Sequence, residues 1–193
     1  MPLILASSSF IRKSMLDAGG IPHEAIPSRI DEAALKTEHG GAEEIALELA
    51  KAKALNVSGG HPSDWVIGSD SVVSVDGRSF DKPANRDQAA EHLRMFSGKA
   101  MQLVSAVAIA RGGTIEWSHI ETAQLHVREL SDAFIETYLD QEWPDVAYCV
   151  GVFRLEGRGV QLFNRVDGDH FTILGMPLLP LLAALRDRGV IAS

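Results

Sequence analysis

The chain has 193 residues, with 26 acidic against 18 basic side chains and a formal net charge of −8. A protein that lives on non-specific nucleic-acid contacts needs the opposite balance, because phosphate neutralisation dominates that affinity, so no duplex DNA or RNA partner is expected. Hydrophobic residues at 46% and charged ones at 23% call for a packed core rather than disorder, in a single α/β domain over 1–193.

Residues 3–6 read as a short buried strand running straight into Ser7-Ser8-Ser9. A helix follows from Phe10, with Ile11, Met15 and Ala18 on one stripe, and Gly19-Gly20 ends it. A second helix over 42–55 turns Ile45, Leu49 and Ala52 to the core. Residues 65–67 look like a buried strand that Gly68-Ser69-Asp70 interrupts and Val72-Val73 resumes, and Asp76-Gly77 signals a hairpin. Asn85 caps a helix through Phe96, which Ser97-Gly98 stops. Residues 103–110 and 114–127 read as strands joined across Gly112-Gly113, and Ser131 opens a helix to about Gln141. Strands over 152–155 and 160–166 surround Gly157 and Gly159, and a last helix spans 180–188 before Gly189. Helices and strands alternate early while hairpins dominate the middle, which implies a mixed rather than all-parallel sheet.

No basic leader precedes Leu3, and no stretch approaches the roughly 20 apolar residues of a membrane span. The one cysteine, Cys149, cannot form an intramolecular disulfide and has no nucleophile context, so it reads as a core thiol. A cytoplasmic chain without a membrane partner is expected.

Several short constellations carry possible chemistry. In Ala6-Ser7-Ser8-Ser9-Phe10-Ile11-Arg12, small hydroxyl residues lead from a strand into a helix. Backbone N–H groups there point outwards at the positive end of the helix dipole, a phosphate-binding arrangement that Ser7, Ser8 and a forked Arg12 complete; one serine acting merely as a cap is the alternative. Lys51 and Lys53 point in nearly opposite directions on one helix, and only Lys53 lies near the apolar stripe where it reaches a cleft. Asp70, between Ser69 and Ser71 at the end of a buried strand, needs a reason to be there: metal ligation, activation of a water, or a local turn. Lys82 before Pro83 offers a second phosphate contact, and Asp31-Glu32 in a loop offers either a metal carboxylate beside Asp70 or a helix cap. Asp167-Gly168-Asp169-His170 lacks the glutamate that closes a calcium loop and reads as a turn between strands.

In this order, these residues resemble the Maf family of nucleotide pyrophosphatases across nearly the whole chain. The match takes in 3–7 with Arg12, Asp31-Glu32, 49–54, Gly68-Ser69-Asp70-Ser71-Val72, Lys82-Pro83, Ser97-Gly98, Gly157, Asp167-Gly168-Asp169 and 174–178. The resemblance implies an elongated mixed β-sheet with flanking helices and two lobes around a cleft, similar to the inosine triphosphate pyrophosphatase fold, and a homodimer. It implies hydrolysis of a nucleoside triphosphate to its monophosphate and pyrophosphate with Mg²⁺ or Mn²⁺. Asp70 is then the central catalytic acid, with Lys53 and Lys82 as catalytic cations, Ser7, Ser8 and Arg12 on the triphosphate, and Glu32 with Asp70 on the metal. The Gly-Ser-Asp run and Glu156-Gly157 look more like the 7-methyl-GTP class than the dTTP/UTP class, and a carboxylate at Glu156 suits a guanine edge. The dTTP/UTP class, and a non-catalytic nucleotide-binding regulator of cell division, are the alternatives. The family's cation before Arg12 is Ile11 here, which removes one phosphate contact. A haloacid-dehalogenase-like reading of Asp70 fails, because that motif wants a second Asp where Val72 stands.

Overall fold

The structure is a computed structural model that describes residues 2–192. The strands are β1 (Leu3–Leu5), β2 (Glu24–Ala25), β3 (Trp65–Val75), β4 (Arg78–Phe80), β5 (Ala100–Arg111), β6 (Thr114–Val127) and β7 (Phe163–Asp167). The helices are α1 (Phe10–Ala18), α2 (Glu32–Glu38), α3 (Ala42–Ser58), α4 (Arg86–Phe96), α5 (Asp132–Glu142), α6 (His170–Leu174) and α7 (Leu178–Asp187). The sheet runs β2-β1-β3-β5-β6-β7, with β4 paired to β3 off that path. Pairing of β1 with β2 and β3 is parallel, and that of β3 with β4 and of β6 with β7 antiparallel, so the sheet is mixed as expected.

Contacts divide the chain into two compact units. The first comprises the residues up to Ser71, Val104–Glu121 and the residues from Asp169 onward; the second comprises Val72–Leu103 and Thr122–Gly168. In the first unit β1, β3 and the stretch of β5 from Val104 to Ala110 are buried on both faces, which explains their continuous apolar runs. Leu3, Leu5, Trp65 and Ile67 pack with Met15, Leu16, Met176, Leu181 and Leu185, while Ile4, Ala6, Val57 and Val66 cluster separately.

Several expected elements take a different form. Strand β3 is continuous from Trp65 to Val75, and Gly68-Ser69-Asp70 does not interrupt it. Its polar side chains Ser69, Asp70, Ser71 and Ser74 stay in the buried strand because each has a hydrogen-bond partner. Helix α3 extends to Ser58, and α7 begins at Leu178 rather than at Pro180. The stripe on α1 is Met15 with Leu16; Ala18 is exposed, and Ala52 on α3 is only half-buried.

Residues 152–155 form no strand. Val152 has φ 56, and its carbonyl accepts the Tyr138 hydroxyl at 2.9 Å, so Val152 and Phe153 are buried in a turn rather than a strand. A 3-10 helix, Arg158–Leu162, replaces the start of the expected strand over 160–166. Nor is Asp167–His170 a turn between strands: Asp167 ends β7 and Asp169 caps α6, its Oδ1 accepting the N–H groups of Phe171 and Thr172 at 2.9 and 3.1 Å.

Candidate active site

The site is built where β3 meets α3 within the first unit. Gly68 permits a close approach that no other residue allows: a Cβ there would lie 2.1 Å from Ala50 O and 2.6 Å from Ala54 N. Alternation along the strand puts Asp70 on the same face as Gly68, and Lys53 stands one helical turn beyond Ala50. The two side chains therefore meet. Lys53 Nζ donates to Asp70 Oδ1 at 2.6 Å, and both residues are buried.

The third member comes from α2. Asp31 caps that helix, its Oδ1 accepting Ala34 N–H at 3.1 Å. The cap places Glu32 at the first helical position, where Oε1 lies 2.8 Å from the same Lys53 Nζ. Two carboxylates thus converge on one ammonium, Asp70 nearly enclosed and Glu32 with its side chain 47% exposed. Lys51 behaves as its position on the helix requires and pairs with Glu48 at 2.8 Å, away from this group.

The serine turn is tied together by its own hydrogen bonds. Ser7 N–H donates to Leu5 O at 2.9 Å, Ser9 N–H donates to Ser7 Oγ at 3.1 Å, and Ser9 Oγ accepts Arg12 N–H at 3.4 Å. Ser9 is the helix cap, and the N–H groups of Ser7 and Ser9 are committed within the turn. Those of Ser8, Phe10 and Ile11 have no internal partner among the described residues. They head a helix of nine residues, the positive end of its dipole.

The opposite face of β3 holds Arg12. Its Nε donates to Gly175 O at 2.8 Å and its Nη2 to Ser71 Oγ at 3.1 Å. Gly175 is left-handed at φ 108, and a Cβ there would stand 3.3 Å from Ser71 Oγ, so a glycine is required for this geometry. Ser69 Oγ donates to Ala106 O at 2.8 Å, with Gly175 O 3.1 Å away. Burial lowers the Arg12 pKa from its ordinary value, while the carboxylates of Asp70 and Glu32 oppose that shift. The guanidinium remains a cation at neutral pH.

Among the described residues no group of three or more His, Cys, Asp or Glu side chains forms a metal-ligand cluster. Asp70 and Glu32 alone nevertheless suit a hard divalent cation of the magnesium type, which takes one or two carboxylates and completes its shell with water and phosphate oxygens.

The chain matches the family described as Maf-like protein over residues 2–188. It belongs to the Maf family. A nucleoside triphosphate pyrophosphatase of Nitrobacter hamburgensis is 48% identical over 193 residues, covering 99% of this chain and 96% of that protein. A 7-methyl-GTP pyrophosphatase of Rhizobium meliloti is 45% identical over 193 residues, covering 98% and 97%. Among solved structures, the Staphylococcus aureus Ham1 protein is 14% identical with a TM-score of 0.45, covering 68% of this chain and 73% of that one.

Of the residues expected in this Maf site, Ser7, Ser8, Arg12, Glu32, Lys53 and Asp70 lie in the first unit. Lys82 and Glu156 lie in the second and are exposed. There Lys82 follows β4, and Glu156 sits in the turn before the 3-10 helix. Cys149 is a free thiol whose pKa burial pushes up to about 11, with Glu156 adding to the rise, so it is no thiolate at neutral pH.

Two further hydroxyl residues beside Ser71 carry no motif in the sequence: Ser105 Oγ lies 2.8 Å from Ser71 Oγ and 2.8 Å from Thr172 O. The signal for Ser105 was one hydroxyl in the otherwise apolar run Leu103–Ala110. Thr172 was hidden because a five-residue helix leaves too short a periodic pattern to read.

Proposed function

We propose that this chain hydrolyses a nucleoside triphosphate at the α-phosphorus, yielding a nucleoside monophosphate and pyrophosphate. The observation that carries the reading is the buried Lys53–Asp70 pair with Glu32 on the same ammonium, close enough to Arg12 for both carboxylates to act on its charge. Maf relatives named as nucleoside triphosphate pyrophosphatases support it.

In this reading the Ser8, Phe10 and Ile11 N–H groups and the Arg12 guanidinium hold phosphate oxygens. Lys53 fixes Asp70 through Oδ1, leaving Oδ2 to take a proton from water. The water oxygen bonds to the α-phosphorus, and the bond from that phosphorus to the bridging oxygen breaks. Pyrophosphate leaves with the electron pair, its charge offset by the Arg12 and Lys53 cations. Asp70 and Glu32 would hold a divalent cation, Mg²⁺ or Mn²⁺, which supplies Lewis acidity to phosphoryl oxygens when bound.

For Lys82 as a phosphate contact and Glu156 as a base-selecting carboxylate, the proposal rests on the family pattern alone. Two relatives named as 7-methyl-GTP pyrophosphatases favour that nucleotide over dTTP or UTP. The proposal also keeps the chain a single functional domain in the cytoplasm, acting as a homodimer.

The test is a panel of 7-methyl-GTP, GTP, dTTP, UTP, CTP and ITP with Mg²⁺ or Mn²⁺, scoring pyrophosphate and orthophosphate separately. Pyrophosphate release from one or a few bases, abolished by Asp70→Asn, is the expected result. Binding without turnover would transfer the assignment to a nucleotide-binding regulator.

A further inference from the structure

Two serines on the adjacent strands β3 and β5 have more neighbours than protons, and counting the protons gives their hydrogen bonds a direction. Ser71 Oγ lies 3.1 Å from Arg12 Nη2, 2.8 Å from Ser105 Oγ and 3.2 Å from Gly175 O. Ser105 Oγ also lies 2.8 Å from Thr172 O. A hydroxyl has one proton to donate and two lone pairs to accept with. A carbonyl only accepts, so Ser105 donates to Thr172 O. The short contact between the hydroxyls then requires Ser71 as donor, which leaves Ser71 no proton for Gly175 O. That carbonyl is already served by Arg12 Nε at 2.8 Å and faces Ser69 Oγ at 3.1 Å.

The far end of this chain is fixed. Thr172 is fully buried, its hydroxyl donates to Glu121, and its N–H is held by Asp169 Oδ1 at 3.1 Å. Ser105 is fully buried too. The near end is a guanidinium with two nitrogens anchored, while Nη1 has no hydrogen-bond partner among the described residues.

We propose that Ser105 is a positioning residue for Arg12. The one-way relay from Arg12 Nη2 through Ser71 and Ser105 to the Thr172 carbonyl sets the plane of the guanidinium and leaves Nη1 for a phosphate oxygen. Ser105 touches no substrate and acts only through Arg12. This inference rests on the phosphate-binding role proposed above for Arg12.

The experiment is a binding cycle on the full chain with inorganic tripolyphosphate as the probe, read by calorimetry. It compares the unaltered chain, Ser105→Ala, Ser105→Thr, Arg12→Ala and the Ser105→Ala/Arg12→Ala double variant, each with its thermal midpoint. Ser105→Ala is expected to weaken binding roughly tenfold, the loss of one hydrogen bond's worth of alignment. It is expected to have no further effect once Arg12 is alanine, and Ser105→Thr, which keeps the hydroxyl, is expected to restore binding. Ser71→Ala, which cuts the relay one link nearer, is expected to match Ser105→Ala and covers the case in which that variant does not fold. Equal losses with and without Arg12, unaltered binding in the serine variants, or no tripolyphosphate binding by the unaltered chain would each overturn the relay. Nucleotide turnover of the unaltered chain is measured alongside. Tripolyphosphate binding without pyrophosphate release would defeat the pyrophosphatase reading while leaving the cycle to judge the relay.

Discussion

Each unit of this protein buries a carboxylate against a cation, and the two pairs are finished in opposite ways. In the second unit, Arg154 Nε and Nη2 donate to Glu142 Oε2 at 3.1 and 2.9 Å, and Nη1 reaches Asp145 Oδ2 at 3.0 Å. Arg158 Nε approaches the other oxygen, Oε1, at 4.0 Å. That set is closed: every nitrogen of Arg154 faces an oxygen, and the hydrogen bond to Glu142 raises the Arg154 pKa further. It fastens the turn containing Gly159, where a Cβ would lie 2.5 Å from Arg154 O. In the first unit, one ammonium serves two carboxylates and the nearby guanidinium keeps a free edge. A closed pair stabilises a turn, whereas an open one keeps acceptors and donors for a ligand.

The comparison breaks most sharply at Asp70. Asp70→Asn keeps the shape and a hydrogen bond to Lys53 but removes the charge. Turnover is expected to fall by about 10³-fold, measured as pyrophosphate release, with the thermal midpoint read alongside to show that the variant is folded. A variant with near-normal turnover would put the open pair in the same class as the closed one.

Arg154→Ala is the reciprocal case. It strands Glu142, whose side chain is 4% exposed, and should cost about 3 kcal/mol of stability in denaturant unfolding. A loss within experimental error would mean that Arg158 or water replaces the arginine against Glu142.

A smaller effect follows from His92, packed between Phe80 and Phe96. Burial, then the charge of Arg78, lowers its pKa below the usual 6.5, and its Nδ1 has no partner. Below that pH the unfolded chain binds more protons than the folded one, so stability is full above about 6.5 and declines as the pH falls. His92→Phe should flatten that decline, as read from unfolding midpoints between about pH 5 and 7.

The smallest change is expected from Lys51→Ala. Removing its surface pair with Glu48 should cost less than about 0.5 kcal/mol and leave turnover unaltered. The contrast with Lys53, two residues away, sharpens the distinction between a solvated helix flank and a buried site.

Much of the fold was legible because its signals are local. Ser9, Asn85 and Ser131 each cap the helix that their position announces, and Asp76-Gly77 makes the hairpin with positive φ at both residues. The failures share a cause. Residues 152–155 carry three apolar side chains of four, as a strand would, but Val152 turns left-handed, and Val152 and Phe153 are buried without strand pairing. Asp70 looked like a strand breaker because an isolated carboxylate in a buried strand is costly, and its partner lies 17 residues away on α3.

By itself, the sequence determined most of the longer helices and strands, which side chains are unusual in their surroundings, and the Maf resemblance that orders them. The tertiary structure alone decided which of those side chains share a partner. Lys53 reaches Asp70 only because Gly68 lets α3 press against β3. Arg12 meets Ser71 and Gly175 across 59 and 163 residues of chain. Caps and turns are set by neighbours along the backbone, whereas satisfying a buried charge depends on packing between distant segments, and no local pattern encodes that.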